Sequence, residues 1–136
     1  MEALGRLFNV LPVADDVYVD LAKAGGVTFI GVLTTGDTWT LTEQKADGSG
    51  DQVLSTITRW HSTATVGAAW VLHTLAANSA ITSTSSEDVV CVEVEAVELS
   101  DGYTQVKLAS TSTGIVIAIQ RDLHFPRKPA NLPAMV

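Results

Sequence analysis

Hydrophobic and polar positions alternate with a period of two along much of the chain. TWTLT (38–42) puts Trp39 and Leu41 on one side and Thr38, Thr40 and Thr42 on the other, the pattern of a half-buried antiparallel strand. DVVCVEVEAVEL (88–99) places Val90, Val92, Val94 and Ala96 on one face and Cys91, Glu93 and Glu95 on the other. VYVDL (17–21) alternates over a shorter run, and TQVKLAST (104–111) reads as a strand returning from SDGY (100–103), whose centre is the turn pair Asp-Gly. VTFIGVL (27–33) is continuously apolar and β-branched, and IVIAIQRDL (115–123) is apolar on both faces at its start, which predicts a buried final strand, central in its sheet. The stretch 51–76, DQVLSTITRWHSTATVGAAWVLHTLA, reads as two strands, about 53–61 and 68–75, around STATVG; a short helix over 52–58 is the alternative. Glycine-rich ADGSGD (46–51) is a turn, and NSAITSTSSED (78–88) a loop or an edge strand.

Seven to nine short strands with turn signals about every ten residues predict an all-β fold, a single antiparallel β-sandwich or barrel-like domain. It is expected over residues 14–123. Residues 1–13 (MEALGRLFNVLPV) and 124–136 (HFPRKPANLPAMV) are rich in Leu and Pro and lack Thr, so they read as arms outside the sandwich. Pro126, Pro129 and Pro133 each fix φ and push the preceding residue to extended conformations, which predicts a stiff C-terminal rod. Its apolar members, Phe125, Leu132 and Met135, have nowhere to hide in a lone rod, so the arm is expected to lie on a neighbouring subunit; the alternatives are an arm folded back on its own domain and a frayed tail. The N-terminal arm offers Leu7, Phe8, Leu11 and Pro12 for a second contact.

Composition narrows the function. The 136 residues are 46% hydrophobic but only 17% charged, which excludes disorder and leaves Ser and Thr to cover the surface. Such a surface suits contact with another protein. A net charge of −7 and scattered basic residues argue against binding to nucleic acid or to anionic membranes. The densest basic group is Arg121, Arg127 and Lys128, expected to pair with carboxylates of a partner. One cysteine, Cys91, permits no intrachain disulfide, and the start of the chain lacks the pattern of a secretion leader, so synthesis in a reducing cytoplasm is expected.

Candidate chemistry is sparse. His61, His73 and His124 match no metal-ligand spacing, Cys91 lies mid-strand between valines, and no Gly-x-Ser-x-Gly turn is present. Glu93 and Glu95 share a strand face about 7 Å apart, a glycosidase-like separation with nothing else to support it. Trp39 and Trp70, beside aliphatic residues, are expected in the core; Trp60, between Arg59 and His61, is the candidate for a sugar-stacking platform. The expectation is a protein with no enzymatic activity, no metal and no cofactor.

Four segments, in this order, carry a resemblance: LGRLFNVLPVADDVYVDL, GVTFIGVLTTGDTWTLTEQ, AVELSDGYTQVKLASTSTGIVIAIQRDL and PRKPANLPA. Together they cover a little over half of the chain, and they resemble small head decoration or minor capsid proteins of tailed phages of actinobacteria. The resemblance implies a β-rich, non-enzymatic virion protein that binds the outside of an icosahedral shell in many copies. The implied partner is the major capsid protein, and self-association as a dimer or trimer is expected, because capsid sites are two-fold or three-fold related. The rival readings are a tail-tube or head–tail connector subunit, which would form rings at low copy number, and a carbohydrate-binding adhesion module.

Overall fold

The computed structural model describes residues 8–12, 16–65, 67–77, 80–111 and 115–124. Eleven strands run in chain order: β1 (Asn9–Pro12), β2 (Tyr18–Asp20), β3 (Gly26–Val32), β4 (Thr38–Lys45), β5 (Gln52–Val53), β6 (Arg59–Thr63), β7 (Val71–Thr74), β8 (Ile81–Thr82), β9 (Val89–Glu95), β10 (Tyr103–Ser110) and β11 (Ile115–Arg121). Among the described residues one 3-10 turn, Ala96–Glu98, interrupts them and there is no α-helix. The larger sheet has the order β1-β11-β3-β9-β6-β7; the smaller is β2-β10-β4-β5, with β8 also pairing β4. Every recorded pairing is antiparallel. Both sheets are open, so the fold is a β-sandwich and not a barrel.

The alternation read from the sequence sets the core. Trp39 and Leu41 from β4 meet Val27 and Phe29 from β3, Val90, Val92 and Val94 from β9, and Val106 and Leu108 from β10, all buried. Gly31 leaves a gap in the inward-facing row of β3, and the facing sheet explains it. A Cβ there would lie 2.2 Å from Cζ2 of Trp39, so the indole of the facing sheet occupies the space that a side chain would need.

Three expectations change. Residues 9–12 were assigned to an arm, yet Asn9–Pro12 pair with Ile117–Gln120 and form the edge of the larger sheet. That pairing is what gives β11 a neighbour on each side. Residues 53–61 do not form one strand: β5 ends at Val53, β6 starts at Arg59, and Leu54 and Ile57 are buried between them, so the 52–58 helix is also absent. The tryptophans exchange roles. Trp39 is buried as expected, but Trp60 is 5% exposed and Trp70 is 52% exposed. The physical reason is position: β6 is interior to the sheet, whereas Trp70 leads into β7 at its outer edge.

Candidate functional site

The outer face of the six-stranded sheet carries ordered rows of apolar side chains. Register places Ile117, Ile30, Cys91, His61 and Leu72 in one row across β11, β3, β9, β6 and β7. A second row is Ile115, Val32, Val89 and Thr63, and a third starts with Val10 and Ile119. The inner positions of the same strands, Phe29, Val90, Val92 and Ala118, are in the core. The second apolar face of β3 and β11 is thus directed outward, where Ile115 is 65%, Val32 48% and Val10 40% exposed. Phe8, just before β1, is 48% exposed.

Charge on this face is gathered at one end. Arg121 of β11 and Glu95 of β9 are paired in register with Gly26, which lies between them on β3. The glycine leaves room for the two side chains to meet over it: Arg121 Nη2 donates to Glu95 Oε1. A Cβ at Gly26 would lie 2.6 Å from the Val94 carbonyl oxygen and close to both charged groups. The hydrogen bond and charge of Glu95 raise the pKa of Arg121 above the ordinary value. The arginine expected to reach a partner's carboxylate therefore has carboxylate partners within its own chain, including Asp122 at 3.4 Å.

Of the other residues expected to bind a partner, Leu11 and Pro12 belong to β1. Leu7, Phe125, Pro126, Arg127, Lys128, Pro129, Leu132 and Pro133 lie outside the described residues. The exposed isoleucines and valines of β3 and β11 were missed as contact residues. Their signal was the unbroken apolar run, read as evidence of burial.

Two clefts among the described residues are lined by further polar groups. One, of about 200 Å³, is lined by Ile57, Thr58, Arg59, His61, Glu93, Glu95 and Glu98. Its carboxylates are partly committed: Glu95 holds Arg121, and Glu98 accepts the backbone N–H of Glu95 at 2.8 Å. The other cleft, of about 330 Å³, lies between β6–β7 and the segment after β8, with Trp60, Ser62, Val71, His73, Thr84 and Glu87 on its walls. Ser62 donates its hydroxyl proton to Glu87 Oε1 at 2.5 Å. His73 Nε2 is 2.8 Å from Ser62 Oγ and 3.2 Å from Glu87 Oε1. Because the single serine proton is used on Glu87, Nε2 must carry a hydrogen and act as the donor. This is not a Ser-His-acid relay, in which the acid holds the far imidazole nitrogen and the serine proton faces the near one. His73 also stacks on Trp60, centroids 4.0 Å apart and planes 13° apart, which closes a face of the indole to any sugar. The sugar platform expected at Trp60 is therefore not formed.

Burial foremost, then the charge of Glu93, pushes the Cys91 thiol up to about 11, so thiolate is scarce at neutral pH. Among the described residues no group of three or more His, Cys, Asp or Glu is placed to hold a metal. No described helix is long and apolar enough to cross a membrane.

Searches against protein-family models, curated proteins and solved structures each returned no match.

Proposed function

We propose that this chain is a non-enzymatic structural protein of a phage virion that binds the outer surface of the head shell and stabilises it by bridging capsid subunits. The observation that carries the protein-docking part of this reading is the outer face of the larger sheet, whose rows of Ile, Val and Cys have no covering layer within the described chain. The shell as partner rests on the resemblance of the four sequence segments.

A residue on a sheet face covers about 32 Å² of flat area, so the eight apolar residues of β1, β11, β3 and β9 offer about 250 Å². A stable pairwise interface needs about 800 Å² per partner. The face alone makes a weak contact, which suits a protein held in many copies by several contacts at once. The 125–136 segment, with its prolines and apolar side chains, is the proposed second contact.

The test is co-sedimentation of the purified protein with heads of its phage prepared without it. Saturation at hundreds of copies per head supports the reading. Binding at a few copies favours a connector. No binding at any concentration overturns the shell assignment.

A further inference from the structure

Among the described residues five strands lie at sheet edges, and four of them, β1, β2, β5 and the two-residue β8, are guarded against pairing with another chain. β1 ends in Pro12, which has no N–H to offer. β2 is three residues long, ends in Asp20 and follows Asp16, which is paired with Lys107. β5 is two residues long and follows Asp51. Short strands, prolines and charges are the usual devices that blunt an edge.

β7 carries none of them. Trp70, Val71 and Leu72 are 52%, 53% and 54% exposed in succession. From Trp60 to Ser86 the sequence holds no Asp, Glu, Lys or Arg, in a chain whose net charge is −7. The backbone of β7 is also held in place from inside, by the stack of His73 on Trp60 and its contact with Ser62. The hydrogen bond from Leu75 N to Thr58 O (2.8 Å) sets the phase of the strand. Residues 71, 73 and 75 turn their N–H and C=O groups toward β6, so those of Leu72 and Thr74 point away from it, to the open edge.

We propose that β7 pairs antiparallel with β7 of a second copy, joining the two six-stranded sheets across a two-fold axis. The occupant is a second copy for two reasons. Two chains of net charge −7 repel least where neither presents a formal charge. A strand that meets itself antiparallel is also self-complementary, with Leu72 and Thr74 supplying donors and acceptors on both sides. The exposed parts of Trp70, Val71 and Leu72 amount to roughly 300 Å² per copy, well under the ~800 Å² of a stable interface. The dimer is accordingly weak and concentration-dependent, and it closes at two. The inference does not rest on the shell reading.

Sedimentation equilibrium on the full chain from about 5 µM to 1 mM tests it. The expected result is a mass rising from monomer to dimer and no further. Leu72→Pro removes an outward N–H while leaving the hydrogen bonds to β6, so it should weaken dimerisation at least tenfold with the fold intact by circular dichroism. Should that variant misfold, Leu72→Lys, which sets like charges against each other at the axis, must show the same loss. Val97→Lys, at a position 91% exposed elsewhere, should dimerise as the parent does. A parent that stays monomeric throughout, that passes beyond a dimer, or that dimerises unchanged with lysine at position 72 overturns the proposal.

Discussion

Replacing Asp37 with asparagine perturbs a side chain that accepts five hydrogen bonds. Its Oδ2 accepts Trp39 Nε1 at 2.7 Å and Ser110 Oγ at 2.6 Å; its Oδ1 accepts Thr38 N at 2.7 Å and both the N and Oγ1 of Thr111 at 3.0 Å. The residue is 4% exposed and joins the start of β4 to the end of β10. Burial by itself would raise its pKa, but the donors of Ser110, Trp39, Thr111 and Thr38 outweigh it and hold the carboxyl below the ordinary aspartate value. In Asp37→Asn one oxygen becomes an NH₂. With the remaining oxygen on the Thr38 and Thr111 side, Ser110 can rotate to accept, but the Trp39 indole N–H is buried with no acceptor, a cost of about 1–3 kcal/mol. Loss of the charge from the other bonds adds about 1 kcal/mol, for a total of about 3 kcal/mol.

At about 2.1 cal/mol/K per residue the unfolding entropy of 136 residues is about 0.29 kcal/mol/K, so the melting temperature should fall by about 10 °C at pH 7. The pH dependence gives an internal check. A carboxyl with a lowered folded pKa contributes stability that is present above its unfolded value, ~3.9, and lost as pH falls through the folded value. The gap between parent and variant, followed by tryptophan fluorescence in urea at a series of pH values, should therefore be constant above about pH 5 and narrow below pH 4. A gap under about 1 kcal/mol at pH 7, or one that does not narrow in acid, would refute the assignment.

Four further outcomes are expected. Gly31→Ala should destabilise by about 1–3 kcal/mol in urea titration, because Trp39 fills the space where the methyl must go. Glu87→Gln should cost about 1–2 kcal/mol, and a double-mutant cycle with His73→Gln should show coupling between the two. The pKa of Glu87 is lowered even though burial raises it, since hydrogen bonds from Ser62 and Thr84 and the nearby His73 prevail; the stability lost in Glu87→Gln should thus vanish in acid, below the ordinary glutamate range. With its thiol pushed up to about 11, Cys91 should react with a disulfide reagent at pH 8 about 200-fold more slowly in the native than in the urea-unfolded chain; comparable rates would refute its burial. Replacing Val32 with Glu and its cross-strand partner Ile115 with Lys, so that opposite charges face each other, should leave the melting temperature within about 2 °C, since both are exposed, and abolish sedimentation with heads.

The parts of the fold legible in the sequence are those that depend on local periodicity. The alternation of Trp39 and Leu41 with threonines, that of Val90, Val92 and Val94 with Cys91 and Glu93, and the SDGY turn all translate directly into burial and pairing. Position within a sheet is set by long-range register, which periodicity does not contain. IVIAI reads as a buried strand central in its sheet; β11 does lie between β1 and β3, but in-plane pairing does not cover the face that points away from the core. Trp60 lies between Arg59 and His61 and Trp70 beside aliphatic residues, and these neighbours point the wrong way: the place of β6 inside the sheet and of β7 at its edge decides which is buried. The buried node at Asp37 leaves no local signal, because its partners Ser110 and Thr111 lie more than seventy residues away. The candidate docking face was missed for the same reason as the edge strands: what an apolar strand packs against depends on the layer above it.

A cryo-EM reconstruction of heads saturated with the protein tests the central claim most directly. The account predicts that the face carrying Val32, Ile115 and Ile117 lies against the shell. A reconstruction with that face turned to solvent and the contact made by the smaller sheet, or heads that remain bare at saturating protein, would contradict it.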